Sequence, residues 1–258
     1  MKLIILAGGF GSRLGSLTNS IPKPMIPVGG KPIMWHIMKI YAHYGIKDFI
    51  ICLGYMGDVI KDYFLHYESK NRDFTINLQN NSIVFHNELL DNDWKITLVD
   101  TGLNTLKGGR LKRIEKYLTD DINLLTYGDG VANIDIRSLI DFHKKKGKIV
   151  TISGVHPPAR FGELIADGDI ISSFQEKSQT SQGMINGGYM VFNKELLTYL
   201  SQDESCDLEA GVLENLAKQE EIAVYKHDGF WACMDHERDL VYLEKLWNNN
   251  NAFWKVWK

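Results

Sequence analysis

A continuous apolar run, Leu3 to Ala7, passes without a polar spacer into Gly8, Gly9, Phe10, Gly11, Ser12 and Arg13. An apolar run with no alternation is the mark of a strand buried on both faces, which in practice means a parallel sheet covered by helices. Glycines directly after such a strand let the backbone turn sharply and approach a ligand closely. Successive N–H groups can then face an anion, and Arg13 adds a fixed, forked positive charge. The loop lacks the Gly-Lys-Ser/Thr ending of a Walker loop, and its glycine spacing differs from G-x-G-x-x-G. The alternative reading of the loop by itself is a tight strand-to-loop turn.

The rest of the chain continues the α/β pattern. Ile33 to Tyr44 carries apolar residues at helical spacing and ends at Gly45. Phe49–Leu53 reads as a strand and Asp58–Tyr67 as a helix. Strands are expected at Lys95–Val99, Asn123–Thr126, Lys148–Val155 and Ile222–Tyr225. Helices are expected at Arg110–Leu118, Ile136–Lys146, Lys194–Leu200, Leu208–Lys218 and Arg238–Trp247. Short strands broken by Gly and Asp between Glu163 and Asn193 point to a mixed sheet. The expected fold class is α/β, Rossmann-like, with a mixed, mostly parallel sheet flanked by helices. A single domain over 1–258 is the simplest division, with a hairpin insertion near 67–94 and a C-terminal helix and aromatic tail over 235–258.

Charge and cysteine usage exclude several classes. The net charge of −3 leaves no basic excess for nucleic acid or an anionic membrane surface, so a phosphate site has to be a local cluster of Lys and Arg. No apolar run approaches the length of a membrane span. Cys52, Cys206 and Cys233 are odd in number and widely spaced, which fits neither a disulfide framework nor a zinc site. A reducing, cytoplasmic setting is expected. His36, His43 and His143 fall on helices without base–nucleophile geometry and are read as packed or surface residues.

Three further segments carry chemistry. Pro22-Lys23-Pro24-Met25 holds one lysine in a stiff segment, expected to be extended, which lowers the entropy lost on meeting an anion. Asp129, between Gly128 and Gly130 after a strand, can reach a ligand beyond the strand's carboxyl end. Asp235 precedes the last helix, where it is either a ligand or an N-cap. Glu176–Lys177 alone is an ordinary exposed pair.

LAGGFGSRL, PKPM and GGKPIMWHIM, followed by VDTG, GGRLKR, TYGDGV, RFGEL, SFQEK, MINGGY and FWACMDHERD, together resemble the sugar-phosphate nucleotidyltransferases, nearly end to end. YGDGV, MINGG and the FWKVWK tail are similar to the cytidylyl branch. The resemblance implies a nucleotide-diphospho-sugar transferase fold, with CTP and glucose 1-phosphate as substrates and Mg²⁺ held by Asp129 and Asp235. It implies nucleotide contacts from Leu6, Gly8, Gly9, Gly11, Ser12, Arg13, Lys23, Gly108, Gly109, Arg110 and Asp129. Arg13, Lys23 and Asp129 are the implied catalytic residues. Sugar-phosphate contacts are implied for Glu176, Lys177, Asn186, Gly187 and Tyr189. A homo-oligomer is also implied, a hexamer being the candidate size, with a product that feeds deoxysugar synthesis. The chain departs from the family pattern at Ser12, Lys107, Ser178, Gly211 and His236.

Overall fold

The computed structural model describes residues 1–88, 93–157, 163–167, 169–175 and 183–257. Seven of the described strands form one sheet: β1 (Leu3–Leu6), β2 (Asp48–Leu53), β3 (Lys95–Asp100), β4 (Ile122–Tyr127), β5 (Val150–Val155), β6 (Ile185–Asn193) and β7 (Ile222–His227). Their spatial order is β7-β5-β6-β4-β1-β2-β3. β1 pairs in parallel with β2 and β4, β2 with β3, and β5 with β7. β6 runs antiparallel to both of its neighbours, so the sheet is mixed. β1 is buried along its whole length, as its unbroken apolar sequence requires.

Helices cover both faces. On one face α1 (Ile33–His43) and the C-terminal tail pack over Leu3, Ile5 and Phe49. On the other, α3 (Lys107–Arg113) and the 194–216 region cover Ile4, Ile50 and Leu125. Between them in sequence lies α2 (Gly57–Leu65), and after β4 comes α4 (Ile136–Lys146), capped by the Asp135 side chain and closed at Gly147. The last helix is α5 (Glu237–Asn248). An antiparallel hairpin, Phe74–Asn77 with Ser82–Phe85, stands out from the body with Phe74, Ile76, Ile83 and Val84 exposed.

Three helical expectations need correction. The Arg110–Leu118 pattern starts earlier and ends earlier, as α3 followed by a separate 3-10 turn at Glu115–Tyr117. Lys194–Leu200 forms a 3-10 segment rather than an α-helix. Leu208–Lys218 is broken: Ala210 (ψ 118°) and Gly211 (φ 96°, ψ −62°) leave helical geometry before a short helix resumes at Glu214–Lys218. Gly211 supplies the positive φ that this break needs, and the break directs Glu209 toward the sheet.

The tryptophan tail packs on its own chain. Trp254 is buried and its Nε1 donates to His36 Nδ1 at 3.3 Å, while His36 Nε2 donates to the Val28 carbonyl at 2.7 Å. Trp247 meets the His36 ring edge-on, with centroids 4.8 Å apart. Burial pushes the His36 imidazole down to about 4, so it is neutral at pH 7. His143 is likewise a packed histidine, bonded to Thr151 and Asn193.

Candidate active site

The carboxyl ends of β1 and β4 lie side by side, with Leu6 opposite Tyr127. The chain leaves β1 into the glycine loop and leaves β4 into Gly128-Asp129, so both segments border one cleft of about 1010 Å³. This is where a parallel sheet binds ligands, beyond the strand ends at a change of strand order. Gly11 takes φ 64°, a left-handed turn that suits glycine, and begins the 3-10 segment that carries Ser12 and Arg13.

A short two-stranded ribbon brings the distant aspartates together. Trp231–Cys233 pairs antiparallel with Gly130–Ala132, and the Met234 N–H donates to the Asp129 carbonyl at 3.0 Å. Asp129 therefore stands just before one strand of the ribbon and Asp235 just after the other. Lys23 reaches between them: its Nζ donates to Asp129 Oδ2 at 2.5 Å and to Asp235 Oδ1 at 2.6 Å. Arg13 Nη1 donates to Asp235 Oδ2 at 2.9 Å. The Lys23 side chain is only 12% exposed, against 64% for Arg13.

Burial by itself would push the Lys23 ammonium down; the two carboxylates outweigh it and hold its pKa above the ordinary value. Burial would push the Asp235 carboxyl up, but Lys23 first and Arg13 behind it hold it below the usual carboxylate range. Asp235 is not the N-cap that its position allowed. His236 holds that place, and Asp239 Oδ2 accepts from the backbone N–H groups of Asp235 and His236 at 3.0 and 2.8 Å. The Asp235 carboxylate is thus left to face the cleft. Cys233, beside it, has its thiol pushed up to about 12 by burial and by the carboxylates of Asp235 and Asp129, so it stays protonated and unreactive.

Among the described residues there is no cluster of three or more His, Cys, Asp or Glu able to hold a metal. Two convergent carboxylates suit a hard ion that takes its remaining ligands from phosphate and water, which is the preference of Mg²⁺.

A family model described as nucleotidyl transferase matches residues 2–248. The chain belongs to the nucleotidyl transferase family. It is 48% identical, over the full length of both chains, to a glucose-1-phosphate cytidylyltransferase of Salmonella typhi. It is 43% identical over both full lengths to a probable glucose-1-phosphate cytidylyltransferase of Bacillus subtilis. Among solved structures it resembles HddC from Yersinia pseudotuberculosis, with a TM-score of 0.67 at 22% identity, covering 95% of this chain and 99% of that one. The fold is thus that of the nucleotidyl transferases, as the sequence implied.

Within this nucleotidyl transferase fold, Leu6, Gly8, Gly9, Gly11, Ser12, Arg13, Lys23, Asp129, Asn186 and Asp235 all border the cleft. Arg110 also borders the cleft, but the fold takes up its donors, and the other residues named from sequence are placed differently. Arg110 is 4% exposed, and its guanidinium donates to the carbonyls of Gly8, Leu53, Gly102 and Leu103 and to Thr101 Oγ1, at 2.8–3.1 Å. It clamps the glycine loop to the sheet from behind. Gly8 is required by that clamp, since a Cβ there would lie 2.2 Å from Arg110 Nη1.

Gly108 and Gly109 let α3 press against the 203–207 segment, and the Gly109 N–H donates to the Cys206 carbonyl. Tyr189 is fully buried, stacked on Tyr41 with its hydroxyl on the Gly130 carbonyl at 3.1 Å, and it does not line the cleft. Gly187 is buried and accepts from Trp231 Nε1 at 2.8 Å. Glu176 and Lys177 lie outside the described residues. The PKPM segment is a tight 3-10 turn at Lys23–Met25 rather than extended, because Pro24 sits where the turn needs no N–H and its ring packs against Gly128.

Sequence reasoning missed a polar group in the cleft wall. The Tyr127 hydroxyl donates to Glu209 Oε1 at 2.5 Å and accepts from Asn186 Nδ2 at 3.0 Å. Lys107 Nζ pairs with Glu209 Oε1 and lies 4.7 Å from the centre of the Tyr127 ring. Burial, then the Glu209 charge, raises the Tyr127 phenol above its ordinary value, so it stays a donor. No signal in the sequence links positions 127, 186 and 209; Asn186, as an implied sugar-phosphate contact, and Lys107, as a departure from the family pattern, were marked only separately.

Proposed function

We propose that the chain joins CTP to glucose 1-phosphate, forming CDP-glucose and releasing pyrophosphate. The observation that carries this reading is the meeting of Asp129 and Asp235 on one cation beside a glycine loop that bears Arg13. The full-length likeness to glucose-1-phosphate cytidylyltransferases supports the choice of substrates.

A phosphate oxygen of the sugar phosphate attacks the α-phosphorus of CTP. The new P–O bond forms in line with the breaking bond to the bridging oxygen, and pyrophosphate departs. The nucleophile is already anionic at neutral pH, so no strong base is required. The barrier is repulsion between two anions, which makes charge neutralisation and alignment the protein's task. Arg13 and Lys23 bind the triphosphate; Asp129 and Asp235 bind Mg²⁺, which supplies charge neutralisation at the phosphates when present. Asn186, oriented by Tyr127, faces the cleft as a partner for sugar hydroxyls. Glu176 and Lys177 belong to the same proposed sugar-phosphate side. The cleft glycines leave the loop's backbone open to the phosphates.

Lys107 in the cleft wall is the observation that favours a second reading, with another base or another sugar phosphate. A matrix of four nucleoside triphosphates against several sugar 1-phosphates, read by product mass, decides between them. CDP-glucose as the dominant product is the expected result. Tight CTP binding with no turnover in the presence of Mg²⁺ would instead make the protein a nucleotide sensor.

A homo-oligomer, with a hexamer as the candidate size, is part of the same proposal. The exposed apolar residues of the Phe74–Phe85 hairpin support it, since a lone two-stranded ribbon is marginal in water without cover. Analytical ultracentrifugation of the full chain tests it, and a monomer at all concentrations would remove it. No helix among the described residues is long and apolar enough to cross a membrane.

A further inference from the structure

We propose that Lys23 is the resting counter-ion of the metal-binding pair, so that a divalent cation is admitted only when nucleotide phosphates draw the ammonium away. The inference rests on the phosphate and metal roles proposed above and concerns the state of the site before substrate arrives. Lys23 holds one oxygen from each aspartate, at 2.5 and 2.6 Å, and Arg13 holds the other oxygen of Asp235 at 2.9 Å. The two carboxylates and the two cations bonded to them sum to zero formal charge, so this quartet offers a bare dication no net attraction.

Mg²⁺ gives up its water reluctantly. Carboxylates already satisfied by a largely shielded ammonium are poor competitors for it. Displacing Lys23 without giving it a new anion would leave a charge unpaired in a site where it is 12% exposed. A triphosphate removes that penalty. The lysine stem is flexible and its ammonium carries three freely turning donors, so it can swing from carboxylate to phosphate. Each cation then exchanges one anion for another: Lys23 passes from the aspartates to the triphosphate as the metal passes onto the aspartates. Arg13 does not occupy the pair in this way, since it touches Asp235 alone and is 64% exposed. Because the two events share one exchange, nucleotide and metal each raise the other's affinity by the same factor.

The test is titration of Mn²⁺ into the nucleotide-free protein, followed by the electron paramagnetic resonance of free Mn²⁺. Lys23→Met is expected to bind Mn²⁺ about tenfold more tightly than the unaltered protein, within the usual span of such couplings. Arg13→Met, which removes the same charge without vacating both aspartates, is expected to gain much less. Equal affinity in the unaltered protein and Lys23→Met overturns the proposal. So does an equal gain in Arg13→Met, which would make net charge rather than occupancy the cause.

A measurement on the unaltered protein needs no substitution. The Lys23 ammonium resonance is expected to stay in place on adding Mg²⁺ alone and to move on adding Mg²⁺ with a non-hydrolysable CTP analogue. Movement with Mg²⁺ alone overturns the proposal. The metal-only titrations decide the matter whichever nucleotide the cleft accepts, so failure of the CTP assignment is read separately, from the analogue's binding.

Discussion

Lys23 and Arg110 flank the same glycine loop, and both are largely withdrawn from water, yet their partners are of opposite kinds. Arg110 faces only neutral oxygens, four backbone carbonyls and one hydroxyl. Lys23 faces two carboxylates. Burial lowers the pKa of Arg110, yet a guanidinium begins so high that it stays charged. Its charge is therefore a permanent structural fixture, pinning the loop from behind. The charge of Lys23 is balanced by acids that have another use, so it is exchangeable. His36 extends the comparison: it too has a carbonyl partner and no acid, but its lower starting pKa lets burial keep it neutral. A carbonyl cradle holds a cation only when that cation cannot shed its proton.

The largest expected break in this comparison is on the acid-partnered side. Asp129→Asn, Asp235→Asn and Lys23→Ala should each lower kcat by ~10²–10³, roughly 3–4 kcal/mol, as removal of a preorganised charge does elsewhere. Pyrophosphate-release kinetics measure it. A loss below tenfold in all three would remove the quartet from the chemistry.

Arg110→Met should act on stability instead. Several buried carbonyls lose their donor at once, and unfolding in urea should show a loss of about 3 kcal/mol or more. Lys23→Met should be less destabilising, because water and added metal can reach the vacated carboxylates. If the two variants were equally unstable, the division into fixed and exchangeable cations would fail.

His36 supplies a pH test with a definite sign. Its folded pKa is depressed to about 4 from 6.5, so below pH 6.5 the unfolded chain binds the extra proton and stability falls as pH drops toward 4. Between pH 7 and pH 5 the loss from this residue should be about 2 kcal/mol. Comparing the stability of the unaltered protein and His36→Gln across that range isolates it; parallel curves would refute it.

The smallest effect concerns the cleft wall. Glu209→Gln keeps the shape but weakens the hold on the Tyr127 hydroxyl, and through it on Asn186, by about 1 kcal/mol. KM for the sugar phosphate should rise about fivefold with kcat little changed. An unchanged KM would mean that the Tyr127–Asn186 contact plays no part in orienting substrate.

The central parallel strands were legible because their apolar runs are unbroken, and α4 was legible because Asp135 and Gly147 mark its ends. The helix expected over 208–218 was misread because its apolar spacing continues through Gly211, where the backbone turns out of helical geometry. Among candidate site residues, those on the loop after β1 and at the end of β4 lie where the motifs implied. Tyr189 does not border the cleft, since a motif names a residue without saying which way its side chain points.

The order of apolar runs and glycines by itself determined a mixed, mostly parallel α/β sheet with a glycine loop at the end of its first strand, because burial pattern and backbone freedom are local properties of the chain. Only the folded structure decided that Asp129 and Asp235 close on Lys23, that backbone carbonyls take up the donors of Arg110, and that Glu209 reaches Tyr127. Those contacts join residues distant in sequence, and their energy depends on distance and burial, which no local pattern encodes.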